Sequence, residues 1–238
     1  MQARKSVVLQ ALDIPVWQLR GKVPAADLAR VSAVPVIEPQ QDLAVPGSIE
    51  SMDWAQLEAS VAACTRCGLC KSRTQTVFGV GSTSARWMIV GEAPGAEEDA
   101  RGEPFVGQAG RLLSNMLAAV GVAREQVYIA NVLKCRPPGN RNPEPGEVAQ
   151  CAPYLQRQIA LLKPQLILIL GRFAAQSLLA TDASIASLRG RFHSVKSGET
   201  AVPAVVSYHP AYLLRNLPEK AKSWADLQLA LSAVNPLG

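Results

Sequence analysis

The chain has 238 residues, a net charge of +5 and an ordinary apolar fraction of 48%, so it can hold one domain with a core and an appended segment. Its longest aliphatic run, 166–170, is too short to span a bilayer. Gln10, Asp13 and Pro15 interrupt the N-terminal apolar stretch, which argues against a signal peptide. We therefore expect a cytoplasmic protein with no membrane partner.

The positive charge is unevenly placed along the chain. Residues 1–50 carry five basic and five acidic side chains, so the whole excess lies in 51–238. A basic compact domain favours a polyanionic partner, most commonly nucleic acid, although a slightly basic enzyme would have the same composition.

The segment 1–50 is predicted to be an arm or linker outside the core domain. It is rich in Ala, Val, Pro and Gln and shows no sustained period. An apolar cluster within 12–19 could bind a protein partner or pack back on the domain, and we favour the second interpretation.

From Ser51 onward, strand and helix patterns alternate in what we predict to be a single domain, 51–238. The first helix stripe is Trp54, Leu57, Val61 and Cys64. There follow a strand over 86–91, a helix over 112–120, a strand over 127–133, a helix over 148–162, a strand over 165–170, a helix over 171–179, strands over 192–195 and 202–207, and a closing helix over 224–231. The alternation predicts a three-layer α/β/α sandwich around a mainly parallel sheet of about four strands.

An acidic, glycine-rich turn over 91–99 directly follows the first long strand, and a second glycine-rich segment over 102–110 comes next. Open α/β sheets bind their ligands beyond the carboxyl ends of the strands. We therefore expect the ligand pocket at this turn.

Five cysteines, in a chain expected to be cytoplasmic, indicate a metal site or reactive thiols rather than disulfides. Cys64 and Cys67 form a C-x-x-C pair, whereas Cys135 and Cys151 are dispersed downstream. A zinc ribbon usually supplies two close pairs, and an iron–sulfur cluster tolerates dispersed thiolates, so spacing alone leaves both centres open. Burial as a small apolar side chain is the alternative, notably for Cys70.

Several short motifs between residues 54 and 232 are highly specific as an ordered set. They are Cys64-x-x-Cys67, Gly91-Glu92-Ala93-Pro94-Gly95, Glu98-Asp99, Gly102-x-Pro104-Phe105-Val106-Gly107, Ala109-Gly110, Asn131-Val132-Leu133-Lys134-Cys135-Arg136-Pro137-Pro138, Asn140-Arg141, Cys151, Leu188-Arg189-Gly190 and His209-Pro210-Ala211-Tyr212-Leu213-Leu214-Arg215. On these motifs the chain closely resembles the family 4 uracil-DNA glycosylases, the iron–sulfur members of the uracil-DNA glycosylase superfamily.

The resemblance implies a monofunctional DNA repair enzyme that acts on uracil in single- and double-stranded DNA. It would flip the uracil out of the DNA and hydrolyse the N-glycosidic bond, which leaves an abasic site. It also implies a [4Fe–4S] cluster held by Cys64, Cys67, Cys135 and Cys151, with Cys70 as a spare thiol. We expect a monomer.

Three residues are implied to handle the base. His209 would donate a hydrogen bond to the uracil O2, where negative charge develops. The Asn131 amide would read both N3–H and O4, a pattern that cytosine reverses. Phe105 would stack on the flipped base.

The acidic turn is implied to surround the base and sugar through Glu92, the backbone at Ala93, and Glu98. Relatives in other families carry an aspartate at the position of Ala93, so here we expect backbone carbonyls, Glu92 or Asn140 to position the attacking water. Glu98 would crowd the C5 edge and exclude the methyl group of thymine. The alternative for Glu98 is a charge that favours a helix N-terminus.

The DNA contacts are implied to come from two segments. Leu213 or Leu214 would wedge into the gap left by the base, with Arg215 on a phosphate. Arg136, Arg141 and Lys134 would add positive charge near the cluster, and solvated surface charge is the alternative for all three.

Two other functions remain open from the sequence. A uracil-DNA binder that captures its ligand covalently would need a nucleophilic histidine, and 136–142 contains none. A zinc or iron–sulfur interaction domain without catalysis would have no need for Asn131, Phe105 and His209.

Overall fold

The computed structural model of the protein describes residues 48–198 and 200–234. The apolar cluster within 12–19 and nearly all of the predicted arm lie outside these residues. Among the residues described, no helix has the length and apolar character needed to cross a membrane.

Six strands form one sheet, in the spatial order β1-β3-β2-β4-β6-β5. They are β1 (Val80–Gly81), β2 (Trp87–Gly91), β3 (Val127–Asn131), β4 (Leu166–Leu170), β5 (Phe192–Ser197) and β6 (Thr200–Ser207). The four central strands run parallel, and β1 and β5 are antiparallel edges. The predicted mainly parallel sheet is confirmed, but the expected number of about four strands is too low. The two-residue β1 is too short to show an alternating pattern.

Eight α-helices occur within the described residues. They are α1 (Trp54–Ala62), α2 (Ala96–Arg101), α3 (Gln108–Ala119), α4 (Pro145–Leu162), α5 (Arg172–Leu179), α6 (Ile185–Leu188), α7 (Pro210–Leu213) and α8 (Lys220–Val234). Asp53 begins α1 with a capping box, because its side chain accepts from the Gln56 N–H while the Gln56 side chain accepts from the Asp53 N–H.

Side chains of the strands alternate between two apolar cores on opposite faces of the sheet. On one face Met88 and Val90 pack with α4, α5 and α6. On the other face Trp87 and Ile89 pack with α3 and α8. Because both faces are covered, every residue of the central β2, β3 and β4 is buried. This confirms the three-layer sandwich.

The four parallel strands end at one edge of the sheet. Gly91 of β2 pairs with Asn131 of β3, and Leu170 of β4 pairs with Ser207 of β6. The chain leaves these ends through the turn before α2, the segment after Asn131, Gly171 and the pair 208–209. Ligand sites in open α/β sheets lie at this edge.

Candidate functional site

A cavity of about 780 Å³ lies at the carboxyl edge of the sheet. It is lined by Glu92, Ala93, Pro94, Gly95, Glu98, Phe105, Ala109, Asn131, Pro137, Asn140, Arg141, Gly171, Arg172, Phe173, Ile185, Tyr208, His209, Ala211, Tyr212 and Arg215. The structure thus brings together every side chain that the sequence predicts to contact or act on the base. The volume falls within the range typical of small-molecule sites.

Asn131 ends β3 and is only 2% exposed, yet its Oδ1 has no hydrogen-bond partner among the described residues. Its backbone carbonyl accepts from the Lys134 Nζ at 2.9 Å. A buried polar atom without a partner costs about 1–3 kcal/mol. This oxygen is therefore available for an N–H that enters the cavity.

Phe105 places its ring beside the imidazole of His209, with ring centroids 5.5 Å apart and planes inclined by 28°. Its backbone is left-handed, with a φ of 56°, which is costly for an aromatic residue. Gly110 makes this conformation possible, because a Cβ there would overlap the Phe105 carbonyl. A Cβ at Gly91 would meet both the Phe105 ring and the Asn131 Oδ1.

Replacing Gly110 by alanine should lower the free energy of unfolding by about 3 kcal/mol, because the new methyl group would overlap backbone atoms that cannot move aside. The midpoint of urea denaturation measures the change. Gly146→Ala is the control, since Gly146 lies in a helix with no atom within 4 Å of the added Cβ. It should be neutral or slightly stabilising. Equal midpoints for the two variants would contradict the packing argument.

His209 begins α7, and its Nδ1 accepts from the backbone N–H of Ala211 at 3.1 Å. In the neutral ring the proton therefore resides on Nε2, which is free to donate. Burial lowers the pKa of His209 to about 4, an effect opposed by Glu98 and reinforced by Arg215. The ring is thus a neutral hydrogen-bond donor at physiological pH.

The pH dependence of kcat should reflect this lowered pKa. Protonation of Nδ1 would break its bond from Ala211, so the rate advantage of the unaltered protein over His209→Ala should hold as the pH falls from neutrality and shrink only around pH 4. A histidine with an ordinary pKa would titrate near ~6.5 instead. Single-turnover rates of both proteins measured across this range, with circular dichroism to confirm folding at each pH, test the expectation. A rate advantage that shrinks at a pH of about 6.5 would contradict it.

The carboxylate of Glu98 binds backbone rather than standing free in the cavity. It accepts from the N–H groups of Gly95, Val106 and Gly107 at 3.1, 3.0 and 3.2 Å. These bonds hold the start of α2 against the segment that carries Phe105. They fit the alternative of a helix N-terminal charge, while the side chain also lines the cavity.

Glu92 has a carboxylate with no hydrogen-bond or ion-pair partner within the residues the structure describes. Burial raises the pKa of Glu92, and the nearby Arg172 opposes that rise. The Glu92 backbone carbonyl is already bonded to the Leu133 N–H at 3.0 Å. Of the groups predicted to position water, the Glu92 side chain therefore has free acceptor capacity.

The side chains of the segment after β3 form hydrogen bonds and ion pairs that the sequence does not predict. The Oδ1 of Asn140 accepts from the Arg136 Nε at 2.8 Å. Arg141 donates to both carboxylate oxygens of Glu147, at 2.9 and 2.6 Å, and lies 3.2 Å from Glu144. Much of the Arg141 charge is therefore neutralised within the protein, and Arg136 does not line the cavity.

The structure separates the two leucines proposed as a wedge. Leu213 is 1% exposed and belongs to the interior, so it is unsuitable for insertion into DNA. Leu214 is 39% exposed, which leaves it as the remaining candidate of the pair. Arg215 is exposed and lines the cavity.

Sequence reasoning missed several residues of the cavity wall. Arg172 and Phe173 follow the end of β4, with the guanidinium 4.6 Å from the ring centroid. Tyr208 and Tyr212 pack ring against ring at 4.9 Å beside His209. The rule that sites form beyond the ends of parallel strands could have identified Arg172 and Phe173, since they follow β4 directly.

A second, smaller cavity is lined by the sulfur-bearing side chains. Cys64, Cys67, Cys70, Cys135 and Cys151 line it, together with Arg73 and Lys134. Arg73 donates to the Cys135 Sγ at 3.1 Å, and the Lys134 N–H donates to the Cys151 Sγ at 3.3 Å. Within the described residues, no three His, Cys, Asp or Glu side chains converge to hold one metal ion.

The donor set nevertheless suits a polynuclear centre that takes one thiolate per iron. The sulfur atoms surround a shared cavity, and N–H donors face two of them. Burial raises the pKa of both Cys135 and Cys151, the latter to about 11. These thiols would be protonated without a cation, and metal binding deprotonates such ligands.

Comparison with known proteins agrees with this geometry. The model of the family "Uracil DNA glycosylase superfamily" matches residues 78–228. The chain is 45% identical over 170 residues to a type-4 uracil-DNA glycosylase of Archaeoglobus fulgidus, covering 70% of this chain and 84% of the relative. It is also 45% identical over 157 residues to the type-4 enzyme of Thermotoga maritima, covering 66% and 80%.

A type-5 uracil-DNA glycosylase of Pyrobaculum aerophilum is more distant, at 32% identity over 56% of this chain and 64% of the relative. The matched region contains the whole carboxyl edge of the sheet and the cavity built on it. Both the cavity and the sequence match therefore lead to the same conclusion: this chain belongs to the type-4 uracil-DNA glycosylases of the uracil-DNA glycosylase superfamily.

Proposed function

We propose that this protein is a hydrolytic uracil-DNA glycosylase that releases uracil from single- and double-stranded DNA and leaves an abasic site. One observation carries the proposal. The unpaired amide oxygen of Asn131, the ring of Phe105 and the imidazole of His209 all face one cavity at the carboxyl edge of the sheet.

Recognition of the base follows from the chemistry of the amide. The Asn131 Oδ1 accepts from uracil N3–H, and its Nδ2 donates to O4. Cytosine presents an acceptor at N3 and a donor at N4, so both contacts become repulsive. The ring of Phe105 stacks on the flipped base and supplies apolar contact that every base could use. Discrimination between uracil and cytosine therefore comes from Asn131, whereas thymine shares N3–H and O4 and differs only by its C5 methyl group.

Bond cleavage places negative charge on the departing uracil. The N1–C1′ bond breaks with its electron pair on the base, and the sugar becomes an oxocarbenium-like cation. The His209 Nε2–H donates to O2, while the bond from Ala211 to Nδ1 fixes the ring orientation. A neutral donor stabilises the anion without transferring its proton.

The attacking water needs an acceptor, and Ala93 supplies only a methyl group. We assign this role to the carboxylate of Glu92, which lines the cavity without a partner among the described residues. It would hold the water and accept its proton as oxygen bonds to C1′. Glu98 acts indirectly, because its bonds to Gly95, Val106 and Gly107 position Phe105.

DNA is held by exposed groups around the cavity. Leu214 fills the space that the base vacates, and Arg215 and Arg172 contact phosphates beside the flipped nucleotide. Arg136 adds positive charge and is held in place by its bond to Asn140. Arg141 mainly stabilises the segment after β3 through its ion pair with Glu147. We expect the protein to act as a monomer.

The cysteine cavity would hold a [4Fe–4S] cluster through Cys64, Cys67, Cys135 and Cys151. Such a centre would supply cross-linking rather than bond cleavage, because the cysteines lie apart from the base cavity. It would link the segment after α1 to the segment after β3 and to α4, since the four cysteines come from these parts of the chain. These links would hold the segment that begins at Asn131.

The activity is tested with labelled oligonucleotides that carry one uracil, in single strands and opposite guanine or adenine. We expect release of free uracil and an alkali-labile site from both substrates, and no release from matched oligonucleotides with cytosine or thymine. Retention of intact uracil DNA without release would instead support a binding protein. An adduct that survives denaturing electrophoresis would support covalent capture.

The cluster is tested separately by iron and sulfide analysis and by the visible spectrum. Cys151→Ser should lose most of the iron, because it removes a ligand. Cys70→Ser is the matched control, since Cys70 lines the same cavity but lies outside the proposed ligand set. Zinc in place of iron, or equal iron loss in the two variants, would overturn the assignment.

A further inference from the structure

Lys134 is a fully buried lysine that lies between the two cavities. Its side chain is among the largest that the fold buries completely, at 1% exposure. Its Nζ donates to the Asn131 carbonyl at 2.9 Å and to the Gln158 Oε1 at 2.6 Å. Its backbone N–H donates to the Cys151 Sγ at 3.3 Å. A single residue therefore contacts both the base-reading position and a proposed cluster ligand.

A buried ammonium is costly unless its charge is compensated. The two oxygens that it contacts, on Asn131 and Gln158, are both uncharged. Gln158 is itself held by donating to the Phe78 carbonyl and the Tyr128 hydroxyl. Lys134 also lines the cysteine cavity. The hydrogen bonds to the two oxygens therefore offset its burial, and the Asn131 carbonyl supplies one of them.

The Asn131 side chain has no hydrogen bond of its own within the described residues, so its orientation depends on its backbone. The strand pairing of β3 ends at this residue, and the Lys134 ammonium supplies the next restraint on its carbonyl. The adjacent N–H groups of Val132 and Leu133 donate to the carbonyls of Gly91 and Glu92. Loss of the ammonium would therefore leave the peptide between Asn131 and Val132 held only through its N–H.

We propose that Lys134 is a positioning residue that links the cysteine site to uracil recognition, because its Nζ holds the Asn131 carbonyl while its backbone N–H contacts the Cys151 Sγ. The proposal rests on the proposed function, because it assigns uracil reading to Asn131. It predicts that the lysine acts on selectivity for the base rather than on bond cleavage itself.

The test uses Lys134→Met, which keeps the length and apolar stem of the side chain but removes the ammonium. Binding is measured by fluorescence anisotropy with a single strand that carries one non-cleavable 2′-fluoro-deoxyuridine, and with the same strand carrying 2′-fluoro-deoxycytidine. We expect the preference for the uracil strand to fall about tenfold or more, as the loss of a charged hydrogen bond implies. Iron content and affinity for the 2′-fluoro-deoxycytidine strand should stay near those of the unaltered protein.

Tyr128→Phe is the matched control, because it removes a hydroxyl from the same buried network without touching Asn131. It should leave the preference unchanged. An unchanged preference in Lys134→Met, or an equal loss in Tyr128→Phe, would overturn the proposal. If Lys134→Met does not retain iron and fold, Lys134→Gln, too short to reach the carbonyl, takes its place. Failure of both to fold would show a purely structural lysine, which also overturns the proposal.

The unaltered protein separates the two hypotheses. If it shows no preference for the uracil strand and releases no uracil, the proposed function itself fails. If it shows both, and Lys134→Met retains the preference, only the role of Lys134 fails.

Discussion

Replacing His209 by alanine is expected to lower kcat for uracil release by about 10²–10³-fold, the usual effect of losing one donor to a developing anion. The imidazole is already neutral and already oriented by the Ala211 N–H, so little reorganisation accompanies the reaction. Alanine removes the Nε2–H and leaves the leaving group without this donor. Single-turnover release from a uracil oligonucleotide measures the loss.

The control for this substitution is His193→Ala. His193 is the other histidine of the chain, and its Nε2 contacts the Leu188 carbonyl at 2.6 Å rather than the cavity. It should keep near-normal kcat. A His209→Ala variant that released uracil at the unaltered rate would remove His209 from the chemistry.

Asn131→Asp should reduce uracil release by about 10²–10³-fold, because one donor is lost and a carboxylate faces uracil O4. The change is nearly isosteric, so the packing against Gly91 and Phe105 stays intact. At the same time an acceptor appears where cytosine N4 would lie. The ratio of cytosine release to uracil release should therefore rise.

Parallel assays on uracil and cytosine oligonucleotides measure this ratio. Asn115→Asp, the same change at an exposed position on α3, controls for added negative charge. If Asn131→Asp lost activity no more than Asn115→Asp, the amide would not be the group that reads the base.

Much of the fold could be predicted because its signals are local. The buried run over 166–170 and the alternation of strands with helices sufficed for a parallel sheet with covered faces. The glycine-rich turn after β2 correctly marked the pocket, since strand ends determine where ligands bind. The short β1 escaped prediction, because two residues carry no period.

The side chains of the site were found mainly by resemblance, and their partners were not found at all. Nothing local shows that Glu98 binds the backbone at 106–107, or that Glu147 neutralises Arg141. The burial of Leu213 and Lys134 is equally hidden, because a leucine pair and a lysine beside a cysteine read as surface features. These properties depend on distances that only the folded chain sets.

The left-handed Phe105 is enclosed by two glycines. Gly110 packs under the Phe105 carbonyl, and Gly91 packs against the Phe105 ring. The position of this ring therefore does not depend on an induced fit to the nucleotide. It is set as the chain folds, before any nucleotide arrives. An incoming pyrimidine therefore meets a preformed surface. Because the Phe105 ring is already ordered, binding carries no entropy cost for ordering it, and the affinity is not reduced by that cost.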